Sequence, residues 1–177
     1  MFEAPVLTTP RLRLRMLQDS DFEEYAAIHM DDEVTRYTAR THLTRFDSWR
    51  HFATMVGHWH LRGYGFWAVE ELATGRLAGR VGFWNPDGWP DFECGWTIGR
   101  EFWGKGYAPE AARACFRYGF EVMQRPHIIS LIDPENRASI AVAEKVGESV
   151  AGETEVLGHR VLIYKITAAE WAAAASR

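Results

Sequence analysis

Residues 99–116, GREFWGKGYAPEAARACF, hold the densest group of residues whose types and spacing could do chemistry. Gly99, Gly104 and Lys105 form G-x-x-x-x-G-K, one residue short of a Walker A phosphate loop, while Gly104 and Gly106 begin a G-x-G dinucleotide fingerprint. A Walker A loop needs Ser or Thr directly after the Lys to hold magnesium, and Gly106 stands there instead. The dinucleotide fingerprint needs a third glycine where Pro109 stands, although Asp133 imitates its ribose-binding acid. What survives is the physics the loops share. Glycines let backbone N–H groups approach an anion, and the N-terminus of the helix that follows adds partial positive charge and unpaired donors. A pyrophosphate held without a metal is the expected ligand.

The elements around the loop decide between the motifs. Upstream, the runs FWAVEE, LAGRVGFW and FECGWTI are separated by LATGR and NPDGWPD, and such short Gly, Asn, Asp and Pro connections imply hairpins. Both nucleotide folds place their loop after a strand of a mostly parallel sheet, so an antiparallel run before it argues against them. Pro109 suits the first turn of a helix whose apolar stripe is Ala112, Cys115, Phe116, Phe120 and Met123. HIISLI then reads as a buried strand. DPENRASIAVAEKVG reads as a helix capped by Asp133 or Asn136 and stopped at Gly147.

Towards the N-terminus, RLRLRML alternates with period two, so residues 11–17 read as a half-buried strand. Asp19 and Ser20 offer caps for a helix carrying Phe22, Tyr25, Ala26 and Ile28, and a second helix is expected over residues 47–61. Between them DDEVTRYTARTHLTR has no clean period and reads as loop. At the other end, two strands flank GETEVLGH, the second being RVLIYKI, and Thr167 with Glu170 forms a capping box for a short terminal helix or tail over residues 166–177.

With 177 residues, 47% of them apolar and 25% charged, the chain has the size and composition of one globular domain spanning residues 1–177. A net charge of −4 argues against a nucleic-acid partner, for which a basic excess is expected. Cys94 and Cys115 form no C-x-x-C, which suggests neither a zinc site nor a disulfide framework and is consistent with a reduced, cytoplasmic protein. The opening MFEAPVLTTPRLRLR carries Glu3 and two prolines where a secretory signal needs a basic stretch and an apolar core. No apolar run approaches the ~20 residues of a membrane span, so no membrane partner is expected. Aromatic residues make up 14% of the chain; most should be core or groove wall, and their abundance leaves room for a homodimer surface.

FECGWTI, EFWGKGYAPEA, HIISLI and NRASIAVAEKVG together resemble the coenzyme A-binding core of the GNAT N-acetyltransferases. The opening LTTPRLRLRMLQDSDFEEY is similar to the branch containing RimJ and RimL, which acetylate N-terminal amines of ribosomal proteins. The resemblance implies acetyl-coenzyme A as cosubstrate, with the backbone of Gly104, Lys105, Gly106, Tyr107 and Ala108 cradling its pyrophosphate and Trp96, Thr97 and Ile98 running beside its pantetheine arm. It implies that Asn136 bonds that arm or orients the acid, and that Ser139 is the hydroxyl partner of the thiol, although both also suit a helix start. The family's loop usually carries Gln or Arg where this chain has Glu101, which shifts weight onto the backbone amides. Lys105 could touch phosphate or be merely solvated.

Acetyl transfer to an amine needs a neutral nucleophile, a polarised thioester carbonyl and a protonated leaving thiolate. An α-amine with a pKa near ~8, or a lysine near ~10.4, is mostly protonated at neutral pH and needs a base or a water relay. Glu93, on the strand before the loop, is the candidate base, acting through water; the alternative is a surface carboxylate facing a strand neighbour. By analogy of fold the loop around Tyr37 and the second helix form the acceptor wall, and His159 near the last hairpin is a further candidate for that side. The whole implies an α/β (α+β) domain with a mixed, mostly antiparallel sheet of about seven strands, opening between FECGWTI and HIISLI. The expected activity is direct acetyl transfer to a primary amine, a protein N-terminus or a small amine, in a ternary complex without metal. The alternatives are a noncatalytic coenzyme A-binding sensor or interaction module, and a nucleotide-binding enzyme using the near-Walker loop.

Overall fold

A computed structural model describes residues 4–175; Glu3 and the last two residues of the expected 166–177 tail lie outside them. Its centre is one mixed sheet of eight strands: β1 (Leu7–Thr8), β2 (Leu12–Arg15), β3 (Phe66–Glu71), β4 (Leu77–Trp84), β5 (Glu93–Ile98), β6 (His127–Ile132), β7 (Ser149–Val156) and β8 (His159–Thr167). The spatial order is β1-β2-β3-β4-β5-β6-β8-β7. Every pairing is antiparallel except β5 with β6. The extra strand beyond the expected seven is the two-residue β1.

Helices cover both faces, which explains why β3 and β4 read as nearly continuous apolar runs. On one face lie α1 (Phe22–His29) and α3 (Arg45–Arg62), whose Tyr25, Phe52 and Met55 pack with Phe66, Ala68 and Leu77. On the other lies α4 (Tyr107–Arg117), which sets Ala111, Ala112, Cys115 and Phe116 against Val81, Phe83, Cys94 and Ile98. The small residues on α4 let it approach the sheet closely, and its last turn widens into a π-helical one over Tyr118–Val122.

Local chemistry sets the boundaries. Thr44 caps α3 in a reciprocal box with Asp47, so that helix begins before the expected residue 47, and Gly63 ends it at φ 74°. The segment expected to be loop contains a one-turn helix, α2 (Asp32–Thr35), because the Asp31 carboxylate accepts from Glu33 N–H. Asn136, not Asp133, caps α5 (Arg137–Val146). GETEVLGH was expected to be the final connection, but its GETEV portion belongs to β7, and the turn is only Leu157 and Gly158, both at positive φ. β7 is an edge strand, and its outward Glu153 and Glu155 disguise the strand while protecting the edge. The Thr167–Glu170 box starts α6 (Ala168–Ala175) as expected.

Candidate functional site

β5 and β6 run side by side at a single ladder position, Glu93 with Ile129, and then diverge. Two side chains tie the opening together. Glu93 Oε1 accepts from Leu131 N–H at 3.5 Å, and the Ser130 hydroxyl donates to the Cys94 carbonyl at 2.8 Å. The gap is the wedge that the sequence places between FECGWTI and HIISLI.

Two adjoining chambers open from it. The first, about 350 Å³, has Tyr37, Arg80, Trp84, Trp89, Glu93 and His159 among its walls. The second, about 410 Å³, is lined by Trp96, Thr97, Ile98, Trp103, Ala108, Ser139 and others. Tyr37, Thr38, Trp96, Thr97, Asn136 and Ser139 belong to both, so they form the passage between the chambers.

The floor of the first chamber follows from strand register. Arg80, Gly82 and Trp84 of β4 lie opposite Thr97, Gly95 and Glu93 of β5, and the period of two puts all six on one face. Gly95 makes room for the Phe66 ring, from which a Cβ there would sit only 3.1 Å. The Trp89 indole N–H donates to Glu93 Oε2 at 2.7 Å. Burial pushes the Glu93 carboxyl up to about 7, with the Trp89 hydrogen bond holding it from going higher. A group titrating there can both accept and release a proton near neutrality.

Arg80 is 9% exposed and stacks its guanidinium 4.0 Å from the Phe66 ring centroid. Its Nε donates to His29 Nε2 at 3.3 Å, and its Nη1 has no hydrogen-bond partner among the described residues. His29 directs Nδ1 at the Tyr25 carbonyl, 2.9 Å away, so Nε2 is the accepting nitrogen. Burial, reinforced by Arg80, depresses His29 to about 3; burial, then Arg80 and His29, depress His51 to about 2. Both rings are neutral near pH 7, and His51 hydrogen bonds with the Tyr25 hydroxyl at 2.9 Å.

In the passage, the Trp96 indole N–H donates to Ser139 Oγ at 3.2 Å, while Asn136 Oδ1 accepts from Ser139 N–H at 3.1 Å. Asn136 therefore caps α5 and lines both chambers at once. Arg40, from the segment before α3, forms an ion pair with Asp133 just past β6, and both line the first chamber.

Between Trp103 and Ala108 of the second chamber's wall, Gly104 and Gly106 hold φ of 75° and 78°, and Gly106 starts α4. Backbone N–H groups of residues 104–108 make no hydrogen bond among the described residues. This combination of left-handed glycines and idle donors at a helix N-terminus suits a pyrophosphate. The loop's side chains turn elsewhere. Lys105 Nζ lies 3.2 Å from Glu71 Oε1, and the Tyr107 hydroxyl donates to the same oxygen at 2.5 Å. Glu101 is held by Arg76 through two bonds of 2.5 and 2.7 Å.

The structure thus brings Glu93, Trp96, Thr97, Ile98, Ala108, Asn136, Ser139 and Tyr37 to the walls of the chambers. Gly104, Lys105, Gly106 and Tyr107 line neither chamber, and the side chains of Lys105 and Tyr107 turn to Glu71. Arg80, Trp89, His51, Arg40 and Asp133 are wall residues absent from the sequence-derived site. A charged residue in the middle of LAGRVGFW was the available signal for Arg80; Trp89, inside the turn NPDGWPD, offered none. Among the described residues no three or more His, Cys, Asp or Glu side chains gather as a metal site, and no helix is long and apolar enough to cross a membrane.

Known proteins are similar to this chain in sequence or in fold. The acetyltransferase (GNAT) domain family model matches residues 11–148. The uncharacterized protein YkkB of Bacillus subtilis is 36% identical over 150 residues, covering 80% of this chain and 83% of that one. An uncharacterized N-acetyltransferase of Bacillus licheniformis, p20, is 32% identical over 136 residues, covering 76% of each chain. A crystal structure of an acetyltransferase from Agrobacterium tumefaciens superposes with a TM-score of 0.84 at 30% identity, covering 94% of this chain and 96% of that one.

Proposed function

This chain belongs to the GNAT acetyltransferase family, and from that premise we propose that it moves an acetyl group from acetyl-coenzyme A to a primary amine by direct attack in a ternary complex. GNAT acetyltransferases use acetyl-coenzyme A as cosubstrate, and bound here it would supply the activated acyl carbon. One observation carries the assignment of sides: two chambers meet at Trp96, Asn136 and Ser139, with a carboxyl poised near neutrality in one and an anion cradle beside the other. The acceptor belongs to the Glu93 chamber and the thioester to the Ser139 passage.

Glu93 is the base. It takes a proton from the incoming ammonium, directly or through water, and the bonds from Trp89 to Oε2 and from Leu131 N–H to Oε1 hold the carboxyl in place. As the C–N bond forms and the C–S bond breaks, Ser139 hydrogen bonds the departing thiolate, whose pKa near ~8.5 calls for a donor no stronger than a hydroxyl. The second ammonium proton ends on that sulfur. Backbone amides of residues 104–108 hold the pyrophosphate, Asn136 bonds the pantetheine arm beside Thr97 and Ile98, and Tyr37 closes the acceptor side. Lys105 contributes through its amide, since its ammonium is engaged with Glu71.

The opening segment and Ser139 support a finer placement near RimJ and RimL; the acceptor is not read from that likeness. Release of free thiol from acetyl-coenzyme A across amines and N-terminal peptides tests the reaction. Acceleration by an amine, with the acetylated product seen by mass spectrometry, is the expected result. Calorimetry that finds ATP·Mg²⁺ bound at micromolar affinity and acetyl-coenzyme A not bound would refute it.

A further inference from the structure

The acceptor chamber contains a charge that the reaction proposed above does not use. Four ionic side chains line it: Arg40, Arg80, Glu93 and Asp133. Arg40 and Asp133 neutralise each other. Arg80 has no ion pair among the described residues; its one hydrogen-bond partner is the neutral His29 imidazole, and its Nη1 is left without any. A guanidinium cannot shed its proton inside a protein, so the charge stays. Glu93 faces it across the chamber on the same sheet face.

That balance fails during acetylation. Once Glu93 takes the ammonium proton it becomes neutral, and a buried, nine-tenths covered cation is left facing a cavity whose remaining carboxylate, Asp133, is committed to Arg40. A polyamine would aggravate the imbalance by adding positive charge beside Arg80. An acceptor that carries its own anion removes it. The acceptor would then be a dipole, with its amine towards Glu93 and its anion towards Arg80. Gly82 and Gly95, with the Phe66 ring packed over Gly95, lie between the two charged ends on this face, and Phe66, Trp84 and Trp89 offer apolar walls for the atoms between. About 350 Å³ suits a small molecule.

Building on the acetyl-transfer reading, we propose that the acceptor is a small primary amine bearing an oxyanion, most simply a carboxylate, and that Arg80 is the residue that selects it. Guanidinium geometry favours carboxylate and phosphate alike through paired N–H donors.

The test is thiol release with ω-amino acids from glycine to 6-aminohexanoate, each beside its amide and the diamine of equal length, with O-phosphoethanolamine as the phosphate arm. At the best length the carboxylate should exceed its amide about 10- to 100-fold in kcat/KM, the range expected of one charge-assisted hydrogen-bond pair. In Arg80→Met that ratio should collapse to about one while acetyl-coenzyme A affinity, read by calorimetry, is retained. Preference for phosphoethanolamine over every carboxylate keeps the oxyanion and identifies it as phosphate. Amides or diamines turned over as fast as carboxylates by the unaltered protein would overturn the proposal, as would a carboxylate preference surviving in Arg80→Met. Should Arg80→Met fail to fold, the panel on the unaltered protein decides alone. If no amine of any charge accelerates thiol release, acetyl transfer to amines is itself refuted, and calorimetry of amino carboxylates against their amides on the coenzyme A complex still tests Arg80.

Discussion

Replacing Glu93 by Gln removes the proposed base while keeping its shape and its hydrogen bond from Trp89. In the native protein the carboxyl titrates at about 7, so kcat/KM should rise with pH through that value as the base becomes available. Glu93→Gln should lower kcat/KM about 10²- to 10⁴-fold, the usual worth of general base catalysis, and the inflection near 7 should vanish. Stability should move the other way. The folded pKa is raised above the ordinary 4.5, so the folded state holds a proton that the unfolded state has already lost, and stability falls as pH rises from about 4.5 to about 7. At about 1.36 kcal/mol per unit, ionising Glu93 costs roughly 3 kcal/mol above pH 8 before any relaxation of the pocket. Glu93→Gln should therefore melt higher than the native protein at pH 8 and much as the native protein does at pH 4. Chemical denaturation at both pH values, beside a pH-rate profile of thiol release, reads the two effects separately. A profile that keeps its inflection near 7 in Glu93→Gln would assign that titration to another group and refute the base. A variant equally stable relative to the native protein at pH 8 and pH 4 would show that the carboxyl is not held up by burial.

Ser139→Ala should lower kcat about tenfold with little change in the KM for acetyl-coenzyme A, because a hydroxyl that meets the leaving thiolate acts late in the reaction; a change confined to KM would make it a binding residue. Gly106→Val should abolish acetyl-coenzyme A binding in calorimetry while the protein stays folded. A β-branched residue at φ 78° costs on the order of 1–3 kcal/mol and disturbs the idle amides beside it, so retained affinity would show that the loop is only a turn. Glu148 lies buried with neither carboxyl oxygen hydrogen-bonded among the described residues, the nearby Ser130 hydroxyl being committed to the Cys94 carbonyl, and burial raises it to about 8. Since its folded pKa exceeds 4.5, Glu148→Gln should gain stability over the native protein as pH rises from 5 to 9, seen in denaturant midpoints, and leave thiol release unchanged because Glu148 lines neither chamber.

Local signals made most of the fold legible. The GRVGFW and FECGWTI runs, the turn residues between them and the Gly104, Gly106 and Asn136 positions each follow from backbone requirements that a sequence displays directly. The final hairpin was obscured because β7 is an exposed edge, where Glu153 and Glu155 serve solubility and hide the alternation. α2 was hidden because one turn held by Asp31 has no period to detect. In the site, Glu93 and Ser139 could be named in advance since each sits beside a recognisable motif. Arg80 acquires its meaning only from register: the β4–β5 pairing sets it on the same face as Glu93, and no sequence neighbour announces that relation.

The same register explains why a buried carboxyl can sit here without wrecking the sheet. Where β5 and β6 part, backbone groups would be left unpaired, and Glu93 and Ser130 reach across to Leu131 N–H and the Cys94 carbonyl to satisfy part of that deficit. The residue that closes the ladder is thus the one whose carboxyl is buried, and the burial that raises its pKa towards neutrality follows from where the strands separate. A Gln at this position keeps the bond from Trp89 through its one amide oxygen, but its NH2 cannot accept from Leu131 N–H, so the longer 3.5 Å bridge is lost together with the ionisation. Glu93→Gln therefore removes the ionisation while keeping the stronger of the two structural bonds, which Glu93→Ala would lose as well.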